Sequence, residues 1–96
     1  MQYAITAFDG EDPDALTRRL AARPAHLARV KLAKDAGQII AGGAILNDGG
    51  QMIGSTIYVE FESRQALDQW ISEDPYIKGE VWKDITIHPI KLATRD

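Results

Sequence analysis

Apolar positions along the chain alternate in some stretches and recur every three or four residues in others, and each change of spacing predicts an element. Tyr3 to Phe8 is a short apolar and aromatic run closed by Asp9-Gly10, the pattern of a strand that ends in a turn. Neither of its faces is consistently polar, which predicts a central place in a sheet. Asp12-Pro13 then offers a helix start, with Asp12 as N-cap and Pro13 at the first helical position, where its missing N–H costs nothing. Leu16, Leu20, Leu27 and Val30 mark the apolar stripe of this helix, and Gly37 stops it. Pro24 interrupts the run and predicts a break or kink just before it. His26 then falls in the first turn of a second helical segment, between the apolar face and solvent.

Gln38 to Leu46 reads as a second strand, and Asn47-Asp48-Gly49-Gly50 as a hairpin turn, because these residues tolerate positive φ. Gly54 to Phe61 reads as a third strand, in which Ile57, Val59 and Phe61 alternate with Tyr58 and Glu60. Ser63 caps a second helix whose stripe is Ala66, Leu67, Trp70 and Ile71, and Asp74-Pro75 ends it. Tyr76 to Trp82 reads as a loop or short helical turn, and Ile85, Ile87 and Pro89 predict a final strand from about Asp84 to Ile90. The tail from Thr94 is expected to fray. The order βαββαβ predicts an α+β, ferredoxin-like domain, a four-stranded antiparallel sheet with two main helices on one face. An apolar open face is a liability for a monomer, so a second copy is expected to close over it and enclose a cavity; Ile57, Val59 and Phe61 are the residues that suggest such a dimer.

The 96 residues suffice for one domain, 1–96, without a linker or internal repeat. Cysteine is absent, which removes disulfides, thiolate nucleophiles and Cys-based metal sites and fits a reducing compartment. A net charge of −3 argues against a nucleic-acid partner, which normally needs a basic face. The one basic cluster, Arg18, Arg19 and Arg23 continuing through Arg29, Lys31 and Lys34, reads as a solvated helix face. No stretch has the length of a membrane span and the N-terminus lacks a leader pattern, so a soluble cytoplasmic protein is expected.

Acid/base chemistry near neutral pH rests on two histidines. His26, in Arg23-Pro24-Ala25-His26-Leu27, can be held without lying wholly in the core; its plain structural role would be to cap a backbone group or pair with a carboxylate. His88, on the last strand, suits an edge or surface position. Asp74 has the plain reading of a helix-ending Asp-Pro turn, yet a carboxylate there can orient an imidazole and stabilise its protonated form. Ser55 and Ser72 lack an elbow motif, so a full hydrolytic triad is not supported. No His or Glu spacing suggests a metal, and Ala41-Gly42-Gly43-Ala44 is no nucleotide fingerprint, so neither metal nor cofactor is expected. Gly42 and Gly43 suggest a bulge or close backbone approach bordering a ligand cavity. Trp70 reads as core, and Trp82, in a polar connection, as a pocket wall or partner surface.

Arg23-x-x-His26-Leu27, the Gly42-Gly43 strand, Gly54-Ser55 and Asp74-Pro75-Tyr76 together resemble the YCII family of small bacterial proteins, over almost the whole chain. The resemblance implies a dimeric α+β barrel, related in shape to muconolactone isomerases, with His26 and Asp74 matching the family's His-Asp pair at a cavity near the dimer interface. Gly43, Ser55, Tyr76 and Trp82 are the candidate substrate contacts. Family members often carry Gly-Pro where this chain has Gly43-Ala44, so the cavity wall departs from the pattern there. The expected function is a small-molecule enzyme using the pair for isomerisation, elimination or hydrolysis. The alternative is a non-catalytic dimeric module that binds a small ligand or a protein.

Overall fold

In the computed structural model, which describes residues 1–94, the alternating stretches become four strands: β1 (Gln2–Asp9), β2 (Ile39–Leu46), β3 (Met52–Glu60) and β4 (Trp82–Ile90). Helix α1 (Ala15–Asp35) joins β1 to β2, while α2 (Arg64–Ser72) and the four-residue α3 (Pro75–Lys78) join β3 to β4. Every pairing is antiparallel and the order is β2-β3-β1-β4, the ferredoxin-like arrangement with β1 central. The end of the tail expected to fray, Arg95 and Asp96, lies outside the described residues.

Period-two alternation turns Tyr3, Ile5 and Ala7 of β1 to the helical side, where Ile5 lies in register with Ile57 on one side and Ile87 on the other. Leu67 and Ile71 of α2, with Phe61, complete this core. Complete burial of Ile5 and Leu67 stabilises the fold by about 1.5–3 kcal/mol each. Ser63 caps α2 as its position predicts, its Oγ accepting the Ala66 N–H at 3.1 Å. In the β2–β3 turn Asn47 Oδ1 accepts the N–H groups of Gly49 and Gln51 at 2.9 Å each, and Gly50 supplies the φ of 82° that the chain needs to reverse.

Four details depart from the pattern along the chain. The N-cap of α1 is Asp14, not Asp12, and Pro13 precedes the helix; Asp12 instead accepts the Asp14 N–H in a local turn and holds Arg18 through both carboxylate oxygens. Helix α1 runs unbroken through Pro24, which is exposed, so the carbonyl it leaves unpaired one turn earlier can turn to water. Its inner face is Ala15, Arg19, Ala22, His26, Val30 and Ala33, whereas Leu20 and Leu27 stay 51% and 44% exposed. Finally, β4 starts at Trp82 because a bulge at Lys83 lets Asp9 pair with Trp82 and Phe8 with Asp84; the extra residue turns Trp82 inward beside Ile85, against simple alternation.

The same register shows which face of the sheet is open. Ile57 and Val59, with Phe61 after them, are buried toward the helices, so they cannot be the residues that invite a second copy. The open face carries rows such as Ala41, Tyr58, Ala4 and His88, then Gly43, Thr56, Thr6 and Thr86. His88 is exposed on the edge strand, as its alternation predicts. Among the described residues no helix is long and apolar enough to cross a membrane.

Candidate functional site

Two turns of α1 separate Arg19 from His26, a rise of about 10 Å that places both on the inner face with Tyr76 of α3 against them. The His26 ring stacks on Tyr76 at 3.8 Å between centroids and 10° between planes, and the Arg19 guanidinium lies over the same phenol ring at 4.7 Å. The edge of Trp82 meets both rings, at 5.7 Å from His26 and 5.4 Å from Tyr76. This aromatic packing holds the imidazole in one orientation.

Asp74 is the N-cap of α3, with extended backbone and no exposed surface. Its Oδ2 accepts the Tyr76 N–H at 2.9 Å and lies 2.7 Å from His26 Nδ1, while Oδ1 accepts from Arg29 Nη1 at 2.9 Å. Arg29 is itself set by a bond to the Trp70 carbonyl at 2.6 Å and by stacking over the Trp70 ring. Burial alone would push the Asp74 carboxyl up; the hydrogen bonds from His26, Tyr76 and Arg29, with the attraction of His26, outweigh it and hold the group below its ordinary value. An ionised carboxylate cannot donate, so the proton between the pair sits on Nδ1, and in the neutral ring Nε2 is the acceptor. Among the described residues Nε2 has no hydrogen-bond partner, and it is not a buried orphan, so it keeps access to the space beside it.

That space is a cavity of about 440 Å³ between α1 and the β2–β3 half of the sheet, within the range of small-molecule sites. His26, Tyr76, Ser55, Gly42 and Gly43 contribute to its wall, with Arg19, Arg23 and Lys34. Among the described residues no Asp or Glu lines it, so the opening is cationic in a chain whose net charge is −3. Gly42 keeps the wall thin: a Cβ there would stand 3.2 Å from Ile57 Cγ2 and from the Thr56 carbonyl. The two register shifts of β2 fall at Ile39/Ala41 and Ile45/Leu46, so Gly42 and Gly43 are not themselves the bulge.

A second polar cluster supports the wall. Arg19 Nη1 donates to both oxygens of Asp9, at 2.9 and 3.1 Å, and Nη2 donates to Ser55 Oγ at 2.9 Å. Trp82 Nε1 donates to the same Oγ at 3.1 Å, so Trp82 braces the cavity from behind without lining it. Burial pushes the Asp9 carboxyl up, against the pull of the Arg19 guanidinium.

The candidates His26, Asp74, Ser55 and Tyr76 thus converge on one place, and Gly43 borders it. Asp9, Arg19 and Arg29 are what sequence reasoning missed. The basic run is not one solvated face: Arg19 is 3% exposed and Arg29 reaches Asp74. The available signal was the small-residue stripe Ala15, Ala22 and Ala33, in register with Arg19 and His26. Among the described residues no group of three or more His, Asp or Glu side chains is placed to hold a metal.

Comparison with known proteins shows the family and agrees with the fold. The model of the YCII-related domain matches residues 1–91. Protein YciI of Escherichia coli is 39% identical, over 95% of this chain and 97% of its own, and an uncharacterized protein of Haemophilus influenzae is 35% identical over the same shares. Among solved structures, 5-chloro-2-hydroxyhydroquinone dehydrochlorinase from Burkholderia phenoliruptrix, in complex with 2,5-dihydroxybenzoquinone, superposes with a TM-score of 0.82 at 27% identity, covering 95% of this chain and 94% of that one. A dimeric ferredoxin-like protein from Jannaschia shares the fold, with a TM-score of 0.52 at 14% identity over 95% of this chain and 98% of its own.

Proposed function

We propose, on the premise that this chain belongs to the YCII-related family, that it is a small-molecule enzyme in which His26 moves a proton and Asp74 fixes and balances the imidazole. The observation that carries this is the buried 2.7 Å contact between Nδ1 and Asp74, which leaves Nε2 free at the cavity wall. Nε2 takes a proton from an acidic O–H or C–H of the substrate. The electron pair released forms a new double bond, either by expelling a leaving group as its anion or by shifting an existing double bond. The proton then leaves the imidazolium for the leaving group, the product or water, and the Asp74 carboxylate stabilises the cationic ring meanwhile.

Elimination or isomerisation of an oxygenated, unsaturated ring compound suits the flat Tyr76–His26 stack and the cationic opening. The dehydrochlorinase activity of the Burkholderia neighbour supports elimination in particular. Gly43, Ser55 and Tyr76 contact the substrate on this reading, and Trp82 acts through Ser55 and the rings. A homodimer formed over the open sheet face completes the proposal, supported by the fold it shares with the dimeric Jannaschia protein. The absence of cysteine supports a reducing, cytoplasmic setting.

The test is chloride release from 5-chloro-2-hydroxyhydroquinone and related chlorinated phenols. His26→Asn and Asp74→Asn should each lower the rate by about 10²–10⁴-fold, and the double variant should be little worse than either. Full activity in His26→Asn would remove the proposal, and additive losses would mean that the two residues act separately.

A further inference from the structure

Ser55 Oγ receives two hydrogen bonds from groups that can only donate, the guanidinium Nη2 of Arg19 and the indole Nε1 of Trp82. A hydroxyl has two lone pairs and one proton, so both lone pairs are occupied and the oxygen is an acceptor toward the protein on both sides. Its own proton remains. Among the described residues no acceptor takes it, although Ser55 is 3% exposed and lines the cavity that His26 reaches. A serine on a strand would ordinarily rotate its hydroxyl; here two fixed donors leave the O–H one orientation. Arg19 is pinned in turn by two bonds to Asp9, so the arrangement is set before any ligand arrives.

We propose that Ser55 is a preorganised hydrogen-bond donor to the substrate, and that the substrate class is one that sets a negatively charged or carbonyl oxygen against it while His26 handles the proton. The inference deepens the function proposed above and rests on it. The positive charge of Arg19, bonded directly to Oγ, polarises the hydroxyl and strengthens it as a donor. A second feature points the same way: Arg19, Arg23 and Lys34 line the cavity and, among the described residues, no carboxylate does, so oxygen-rich anions gain there and cations do not. Oxygen charge that builds up on a ring when Nε2 removes a proton would meet a donor already aimed at it, the arrangement that stabilises developing oxyanions. Arg19 and Trp82 are positioning residues for Ser55.

The experiment is calorimetric titration with 2,5-dihydroxybenzoquinone, an acidic quinone, of the wild-type chain, Ser55→Ala, Ser55→Cys and Ser55→Thr, each checked by its melting curve. Alanine removes the hydroxyl, cysteine keeps the volume with a weak donor, and threonine restores the O–H. Alanine and cysteine should weaken binding by about 10- to 100-fold, the worth of a hydrogen bond to a charged group, and threonine should bind nearly as the wild type does. If alanine does not fold, the cysteine and threonine pair makes the same comparison. Unchanged binding in Ser55→Ala or Ser55→Cys, threonine as weak as cysteine, or a wild-type chain that ignores the quinone would each overturn the inference. His26→Asn in the chloride assay keeps the two ideas apart: an active His26→Asn with a weak-binding Ser55→Cys removes the dyad and leaves the donor. The reverse pattern removes the donor alone.

Discussion

Asp74 accepts three hydrogen bonds with no exposed surface, and His26 and Arg29 both depend on its charge. Asp74→Asn keeps one acceptor oxygen and Arg29 is partly solvated, so the cost should be about 2–4 kcal/mol, somewhat below the loss of a whole buried partner, measured by denaturant unfolding. The pH dependence has a definite sign. The folded value of Asp74 lies below its ordinary 3.8, so its contribution to stability is complete above 3.8 and is lost as pH falls below that toward the folded value. Asp9, pushed up by burial, contributes in the opposite sense, which makes the difference between wild type and variant the informative quantity. The gap in melting temperature between wild type and Asp74→Asn should be wide at neutral pH and should close below 3.8. A gap that stays constant into acid would show that the carboxylate charge is not what stabilises the fold.

At the scale of elements, α1 does two jobs that conflict: it spans 21 residues as one helix and it contains Pro24. The ring forfeits one backbone bond in the middle of the helix, and packing of the small-residue face around Arg19 and His26 holds the helix together regardless. Pro24→Ala should therefore raise stability by about 2 kcal/mol, the helix-propensity gain less the added freedom of the unfolded chain. A lower melting temperature would mean instead that the proline shapes the turn that presents His26. The bulge at Lys83 is the second device at this scale, since without the extra residue Trp82 would face away from Ser55.

The whole molecule presents an open sheet face whose central rows are small or polar apart from Tyr58, which is 40% exposed, with Phe8 near one end at 41%. Such a surface, rather than a greasy one, is what a second sheet with its own threonines and alanines can pack against. Sedimentation velocity at micromolar protein should give a dimer. Tyr58→Lys, which adds a like charge on both copies at the middle of that face, should give a folded monomer with an unchanged far-ultraviolet spectrum. A monomeric wild-type chain, or a dimer indifferent to the lysine, would place the assembly elsewhere.

Much of this was legible along the chain. Strand alternation and the Asn47 to Gly50 turn are local signals, as is the Ser63 cap, and together they predicted the element order and the ferredoxin-like topology, because each rests on neighbours a few residues apart. His26 and Asp74 could be singled out as the chain's scarce imidazole and an Asp-Pro turn, helped by resemblance. Their pairing was an expectation from resemblance and from what an imidazole needs, not from spacing: 48 residues separate them, and the docking of α3 on α1 is what brings Nδ1 to Oδ2. Tertiary structure alone decided that Arg19 points inward, because a cation reads as surface until a buried Asp9 is known to face it. It also decided that Ile57 and Val59 belong to the monomer's own core, and that Trp82 joins the strand. Hydrophobic periodicity records which side of an element is buried, whereas partners across the fold determine which polar groups can share that side, and those partners are set by closure of the sheet and helices together.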